Sequence, residues 1–245
     1  MFIEYEDLDS SLILPGMELY RCRYQADRYT PDLFAHFRLA QPPGLQGWVV
    51  KRQAEFLAGR YCAARALARA GQTGHQVAVG PNREPLWPPG WRGAITHTRQ
   101  QAIAVVASSV DGVGIDLEAI MDARQAAEFA PMIINETELA LGRAAGLDLP
   151  TLVSLCFSLK ESIFKALYPQ VGRYFGFEAA ELVSLEPAAG SWSARLTAPL
   201  TARLAAGFPL SGHMHLDATN VLTGIVLAAH NSPSPPARSA QSLSF

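Results

Sequence analysis

The chain has 245 residues, 49% hydrophobic and 17% charged. That apolar fraction excludes a disordered polypeptide and suits one large domain or two small ones. Lys and Arg number 20 against 22 Asp and Glu, a net charge of −2, which excludes a generally basic surface of the kind that grips nucleic acid; any anion site must be local.

The opening residues 1–10 are acidic and lack the basic and apolar regions of a signal peptide. No run approaches the roughly 18 apolar residues of a membrane span, so a cytoplasmic protein is expected. Cys22, Cys62 and Cys156 are odd in number and form no C-x-x-C pair, which argues for buried free thiols over a disulfide framework or a zinc site.

In chain order, a helix is predicted from about Lys51 to Ala70, ended by Gly71. Its core-facing stripe carries Phe56, Ala63, Ala64 and Leu67, while Lys51, Arg65 and Arg69 share a solvent face. Residues 81–93 are dense in Pro and Gly and read as irregular. A buried strand follows over Ala102–Ala107. A turn signal at Asp111-Gly112 then predicts a hairpin with a return strand over Val113–Glu118. A second long helix is predicted from about Thr151 to Tyr168, stopped by Pro169, and strand-like runs occur near Ala180–Leu185, Ser193–Leu196 and Val221–Ala229. The Ser/Pro-rich stretch 231–245 reads as a flexible tail. Helices mixed with antiparallel hairpins predict an α+β fold.

Three groups of residues could carry chemistry. Asp116 and Glu118 lie two apart on the return strand, so their carboxylates project from one face; Ile115 and Leu117 point the other way, which predicts a buried apolar face and an open carboxylate face. Such convergent hard oxygens suit a cation completed by water and phosphate, although a solvated edge strand has the same pattern. On the second helix Ser154, Ser158, Glu161 and Lys165 share one side opposite an apolar stripe of Leu152, Cys156, Leu159, Ile163 and Leu167; an ordinary surface ion pair would look the same. On the first helix Arg60 falls within the apolar stripe and Arg52 at its edge. A guanidinium there needs a carboxylate or a ligand phosphate, since leaving it unpaired costs several kcal/mol.

Read together, Gly114-Ile115-Asp116-Leu117-Glu118 and, further on, Phe157-Ser158-Leu159-Lys160-Glu161-Ser162-Ile163-Phe164-Lys165 resemble the two signature motifs of the 4′-phosphopantetheinyl transferase superfamily. Ala94-Ile95-Thr96-His97 resembles the family's short (S/T)-H motif, and Asn82-Arg83-Glu84-Pro85 its basic-x-Pro segment. The stretch Lys51 to Arg60 and Trp87-Pro88-Pro89-Gly90 are similar to the enterobactin synthetase component D branch and its broad-specificity pseudomonad members. The likeness runs from about Lys51 to Phe177.

The resemblance implies transfer of the 4′-phosphopantetheine arm of coenzyme A to a serine of an acyl or peptidyl carrier protein, releasing 3′,5′-ADP. It implies Asp116, Glu118 and Glu161 on one Mg²⁺ (Mn²⁺ is compatible with oxygen ligands), with Glu161 also a candidate base for the serine hydroxyl, directly or through a water. Lys165 and His97 are placed on the phosphates. Arg60 and Arg83 are assigned to the nucleotide end, with Arg52, Thr96 and Lys160 as further coenzyme A contacts. The implied fold is two similar α/β subdomains related by a pseudo-twofold: residues 1–118 and 119–230, coenzyme A between them, a monomer sufficing. The competing readings are a degenerate binder of coenzyme A or carrier protein that transfers nothing, and a Mg²⁺-dependent phosphohydrolase.

Overall fold

The computed structural model describes residues 1–7 and 17–229; the expected tail at 231–245 lies outside them. Eleven strands and five α-helices occur among the described residues. The first half contains β1 (Ile3–Asp7), β2 (Glu18–Tyr24), the short α1 (Leu33–His36), α2 (Val50–Arg69), β3 (Ala78–Val79), β4 (Pro85–Leu86), β5 (Trp91–His97) and β6 (Gln101–Ser108). Then come β7 (Val110–Ala119), α3 (Ala123–Ile133), α4 (Glu136–Ala144), α5 (Leu149–Val171), β8 (Ala180–Glu186), β9 (Ser191–Leu196), β10 (Pro209–Leu216) and β11 (Asn220–Ala228). The mixed helix-and-sheet architecture is the α+β class expected.

Two antiparallel sheets carry the structure, in the orders β1-β2-β6-β5 and β7-β11-β10-β9-β8. Helix α2 covers one face of the first sheet, burying Ala54, Leu57, Ala58, Cys62 and Ala66 against Tyr20, Cys22, Ala102 and Ala104. Helices α3 and α5 cover the second sheet over Leu155, Leu159, Ile163, Trp192 and Ile225. A third apolar layer joins the halves: Leu19, Ile103 and Val105 from the back of the first sheet meet Val113, Ile115 and Leu117 of β7. All three cysteines are buried and free, as the spacing predicted.

The hairpin expected at Asp111-Gly112 does not form. Ser109, at φ 58°, makes the left-handed turn, and β7 leaves β6 to pair with β11 in the other sheet. Asp111 and Gly112 lie inside β7, where the glycine serves packing. A Cβ on Gly112 or Gly114 would collide with the backbone carbonyls of Ala166 and Ser162, so these glycines let α5 lie directly on the strand. Nor does Pro169 stop α5. It costs one backbone hydrogen bond near the end, and the helix closes at Gly172, whose φ of 67° directs its N–H to the carbonyl of Tyr168 at 2.8 Å. The segment 81–93 is irregular only over 81–84 and 87–90, since 85–86 pair with 78–79 and β5 already begins at Trp91.

Both faces of β7 are covered. Ile115 and Leu117 pack into the seam, and Asp116, 3% exposed, faces α5 instead of solvent. The serine side of α5 is likewise interior. Ser158 and Ser162 are fully buried and hydrogen-bond Thr223 of β11 at 2.9 and 2.8 Å, and Ser158 donates to the carbonyl of Asp116 at 3.1 Å. An open polar face was expected on both elements; paired hydroxyls and close glycines bury it.

Candidate active site

The α5–β7 contact places two motif residues against each other. Lys165 Nζ lies 2.6 Å from Asp116 Oδ1 and donates to the carbonyl of Ile115 at 3.1 Å. Thr96, at the end of edge strand β5, donates to the same Oδ1 at 3.1 Å and accepts from the backbone N–H of Leu117 at 3.0 Å. The carboxylate is thereby held by two elements besides its own strand. Its second oxygen, Oδ2, is buried with no hydrogen-bond partner among the described residues.

Glu118 and Glu161 share this electrostatic neighbourhood. Burial pushes the Glu118 carboxyl up to about 7, reinforced by Asp116 and Glu161 and opposed by Lys165. Burial likewise raises Glu161, against the pull of Lys165 and with the push of Asp116. Two carboxyls whose ionisation burial opposes, in the neighbourhood of Asp116, are a donor set for a hard cation. Among the described residues no three such groups close up into a ready-formed metal cage. An unpartnered Asp116 oxygen beside two half-buried glutamates nevertheless fits an ion such as Mg²⁺, which takes one or two carboxylates and fills its shell with water and phosphate.

Next to this cluster, a cavity of about 630 Å³ runs between α2, the 82–87 segment, β5 and the end of α5. It is lined by Arg52, Arg60, Arg83, His97 and Lys165, five of the residues read from the sequence. Arg60 is 8% exposed, donates to the carbonyl of Ala78 at 3.3 Å and lies over the Phe56 ring at 4.7 Å. No carboxylate pairs with it among the described residues, and its Nε has no partner, so the internal ion pair considered for it is absent. Burial draws its pKa down to about 10. Arg52 Nη1 approaches Glu55 at 3.4 Å and His97 Nε2 at 3.1 Å. A guanidinium only donates, so Nε2 accepts and the ring proton sits on Nδ1. Burial holds His97 below its ordinary range, opposed by Glu55 and helped by Arg52 and Lys165, which keeps the imidazole neutral near pH 7. Arg83 is exposed at a tight turn with φ 68°.

Two predicted coenzyme A contacts sit elsewhere. Lys160 is 6% exposed and does not line the cavity. Its ammonium lies 2.9 Å from both oxygens of the fully buried Glu138 and donates to the carbonyl of Ile133 at 2.6 Å. Thr96 is 4% exposed and spends its hydroxyl on Asp116 and the Leu117 N–H. The cavity also has walls to which the sequence reading gave no site role: Trp87, Trp91, Arg92, Phe164 and Tyr168. Phe164 and Tyr168 were legible as residues one and three positions from Lys165; Trp87 and Arg92 lie in or beside the Pro/Gly-rich stretch, where no periodicity assigns a facing.

These features set a carboxylate cluster beside an arginine-lined cavity at the junction of two sheet–helix halves. Residues 42–107 match the model of the 4′-phosphopantetheinyl transferase N-terminal domain, and residues 112–205 that of the 4′-phosphopantetheinyl transferase superfamily. The chain belongs to this superfamily. It is 42% identical over 135 residues to enterobactin synthase component D of Salmonella typhi, covering 55% of this chain and 56% of that protein. It is 35% identical over 171 residues to the 4′-phosphopantetheinyl transferase Svp of Streptomyces mobaraensis, covering 69% and 66%. To Npt of Nocardia iowensis it is 31% identical over 156 residues, covering 63% and 68%. The match thus spans little more than half the length of the enterobactin synthase relatives. Among the described residues no single helix is long and apolar enough to cross a membrane.

Proposed function

We propose that this protein transfers the 4′-phosphopantetheine arm of coenzyme A to the serine of an acyl or peptidyl carrier protein, releasing 3′,5′-ADP. The observation that carries this reading is the Oδ2 of Asp116, unpartnered among the described residues, near Lys165 and a cavity lined by Arg60, which has no carboxylate partner among those residues. A substrate with a pyrophosphate and a separate phosphate answers both features.

In this reading Asp116, Glu118 and Glu161 hold Mg²⁺. When bound, the ion supplies charge neutralisation at the pyrophosphate. Lys165 already stands 2.6 Å from Asp116 Oδ1 and needs only a small side-chain movement to meet a phosphate oxygen. The neutral His97, oriented through Arg52, offers its Nδ1–H to a second phosphate oxygen. Arg60 and Arg83 take the nucleotide end, where a guanidinium fork fits a terminal phosphate. The serine Oγ attacks the phosphorus that bears pantetheine, and the bond from that phosphorus to the bridging oxygen breaks. The serine proton passes to Glu161, directly or through a water, and the bridging oxygen leaves with 3′,5′-ADP. The cleft lies between the halves proposed as residues 1–118 and 119–230, so one chain supplies every group named.

The test is the intact mass of an apo acyl carrier protein after incubation with this protein, coenzyme A and Mg²⁺, with an EDTA control. A gain of one phosphopantetheine arm, lost with EDTA, is expected. No gain on that carrier or on a peptidyl carrier domain, despite coenzyme A binding, would overturn transfer and leave the degenerate binder.

A further inference from the structure

One wall of the cavity is built in an unusual way. Gly93, on edge strand β5, stands where a Cβ would run into the Cζ2 and Cε2 atoms of the Trp87 indole and into the carbonyl of Val105. The ring therefore rests directly on the strand backbone, with no side chain beneath it. Trp87 is half-buried and lines the cavity. On the same cavity lie Arg60, with no carboxylate partner among the described residues, and Arg83, held by a left-handed turn four residues before Trp87.

An aromatic surface fixed from behind, next to guanidinium groups that lack carboxylates, is the complement of a nucleotide. The flat base needs a π-face and its phosphate a fork donor. We propose that the Trp87 indole, seated on Gly93, is the platform on which the adenine ring of coenzyme A stacks. This rests on the transferase reading for the identity of the ligand, but not for the placement of the ring. Trp87 is then a specificity residue for the purine end of the substrate. The pantetheine arm, which carries no aromatic group, gains nothing from it.

The experiment compares Trp87→Phe with Trp87→Leu in the full chain, by calorimetric titration with coenzyme A, 3′,5′-ADP and 4′-phosphopantetheine. Leucine fills the space over Gly93 without a π-face; phenylalanine restores one. The leucine variant should bind coenzyme A and 3′,5′-ADP about 5- to 150-fold more weakly, the weight of one base–aromatic stack, with 4′-phosphopantetheine unchanged and the phenylalanine variant near wild type. Quenching of indole fluorescence by 3′,5′-ADP should be largely lost in both variants, although phenylalanine still binds. Equal 3′,5′-ADP affinity in all three proteins overturns the platform, as does an equal loss for 4′-phosphopantetheine, which marks a packing role. Trp87-dependent 3′,5′-ADP binding in a protein that modifies no carrier would sustain the platform and remove the transferase reading. Carrier modification without dependence on Trp87 would do the reverse.

Discussion

Replacing Lys160 by methionine separates a structural role from a ligand-binding one. The side chain is 6% exposed and its partner Glu138 fully buried, with 2.9 Å from Nζ to each carboxylate oxygen. Glu138 is itself committed to the fold: it accepts the Asn135 N–H at 3.0 Å in the capping box of α4 and the Leu182 N–H of β8 at 3.0 Å. Methionine fits the volume of the lysine stem but strands a carboxylate among these backbone donors. Breaking a buried pair in this way costs about 3–5 kcal/mol. At about 2–4 °C per kcal/mol for a chain of this size, the thermal midpoint should fall by roughly 6–20 °C. Adding Glu138→Gln removes the stranded charge; its single amide oxygen still accepts one of the two N–H groups, which use different oxygens of Glu138, while the other loses its acceptor. The double variant should therefore recover part of the loss, with a coupling of about 1–3 kcal/mol in a double-mutant cycle. Below its own melting range, Lys160→Met should leave the KM for coenzyme A unchanged. A variant with normal stability and a raised KM would refute this reasoning and return Lys160 to the cavity.

Gly114→Ala should destabilise by at least about 1–3 kcal/mol, because its Cβ meets the Ser162 carbonyl and forces α5 off β7; an unchanged melting curve would show that the two elements are not in direct contact. Asp116→Asn should lower transfer by about a hundredfold or more while the protein stays folded, since Thr96 can still bond the amide; near-normal turnover would remove Asp116 from the site. For Glu118 the native pKa of about 7 lies above the ordinary carboxylate value of 4.5. The folded state thus binds this proton more tightly than the unfolded state, and its contribution to stability falls as pH rises from about 4.5 to 7. In EDTA, Glu118→Gln should raise the melting temperature at pH 8 and have little effect near pH 4.5; the opposite order would contradict the burial of this carboxyl.

Much of the site was legible because its chemistry is carried on two regular elements. The spacing of Asp116 and Glu118 on a strand, and of Glu161 and Lys165 on a helix, survives folding because local geometry dictates it. Arg60 was legible for the complementary reason: a charge inside an apolar stripe needs an answer, and here no carboxylate among the described residues provides one. Other elements were legible yet outside the expected set. Tyr20, Cys22 and Tyr24 alternate with Arg21 and Arg23 in β2, and Asn135 with Glu138 forms a readable capping box. Strand β10 was hidden by Gly212, which reads as a turn residue but stands where a Cβ would strike the Trp192 ring and the Gly224 carbonyl.

By itself, then, the sequence determined the two long helices, the motif residues, the free buried thiols and the superfamily, all of which rest on residue type and short-range spacing. The tertiary structure alone decided the rest. Whether β7 returns to β6 or crosses to β11 depends on which sheet buries Val113, Ile115 and Leu117 on one side and accepts α5 on the other. Whether Lys160 or Lys165 lines the cavity depends on where Glu138 and Asp116 arrive from distant segments. Placing Trp87 on Gly93 required the 82–87 segment to fold back over β5. Each outcome is set by a long-range packing or charge partner, and no local periodicity encodes which partner will be there.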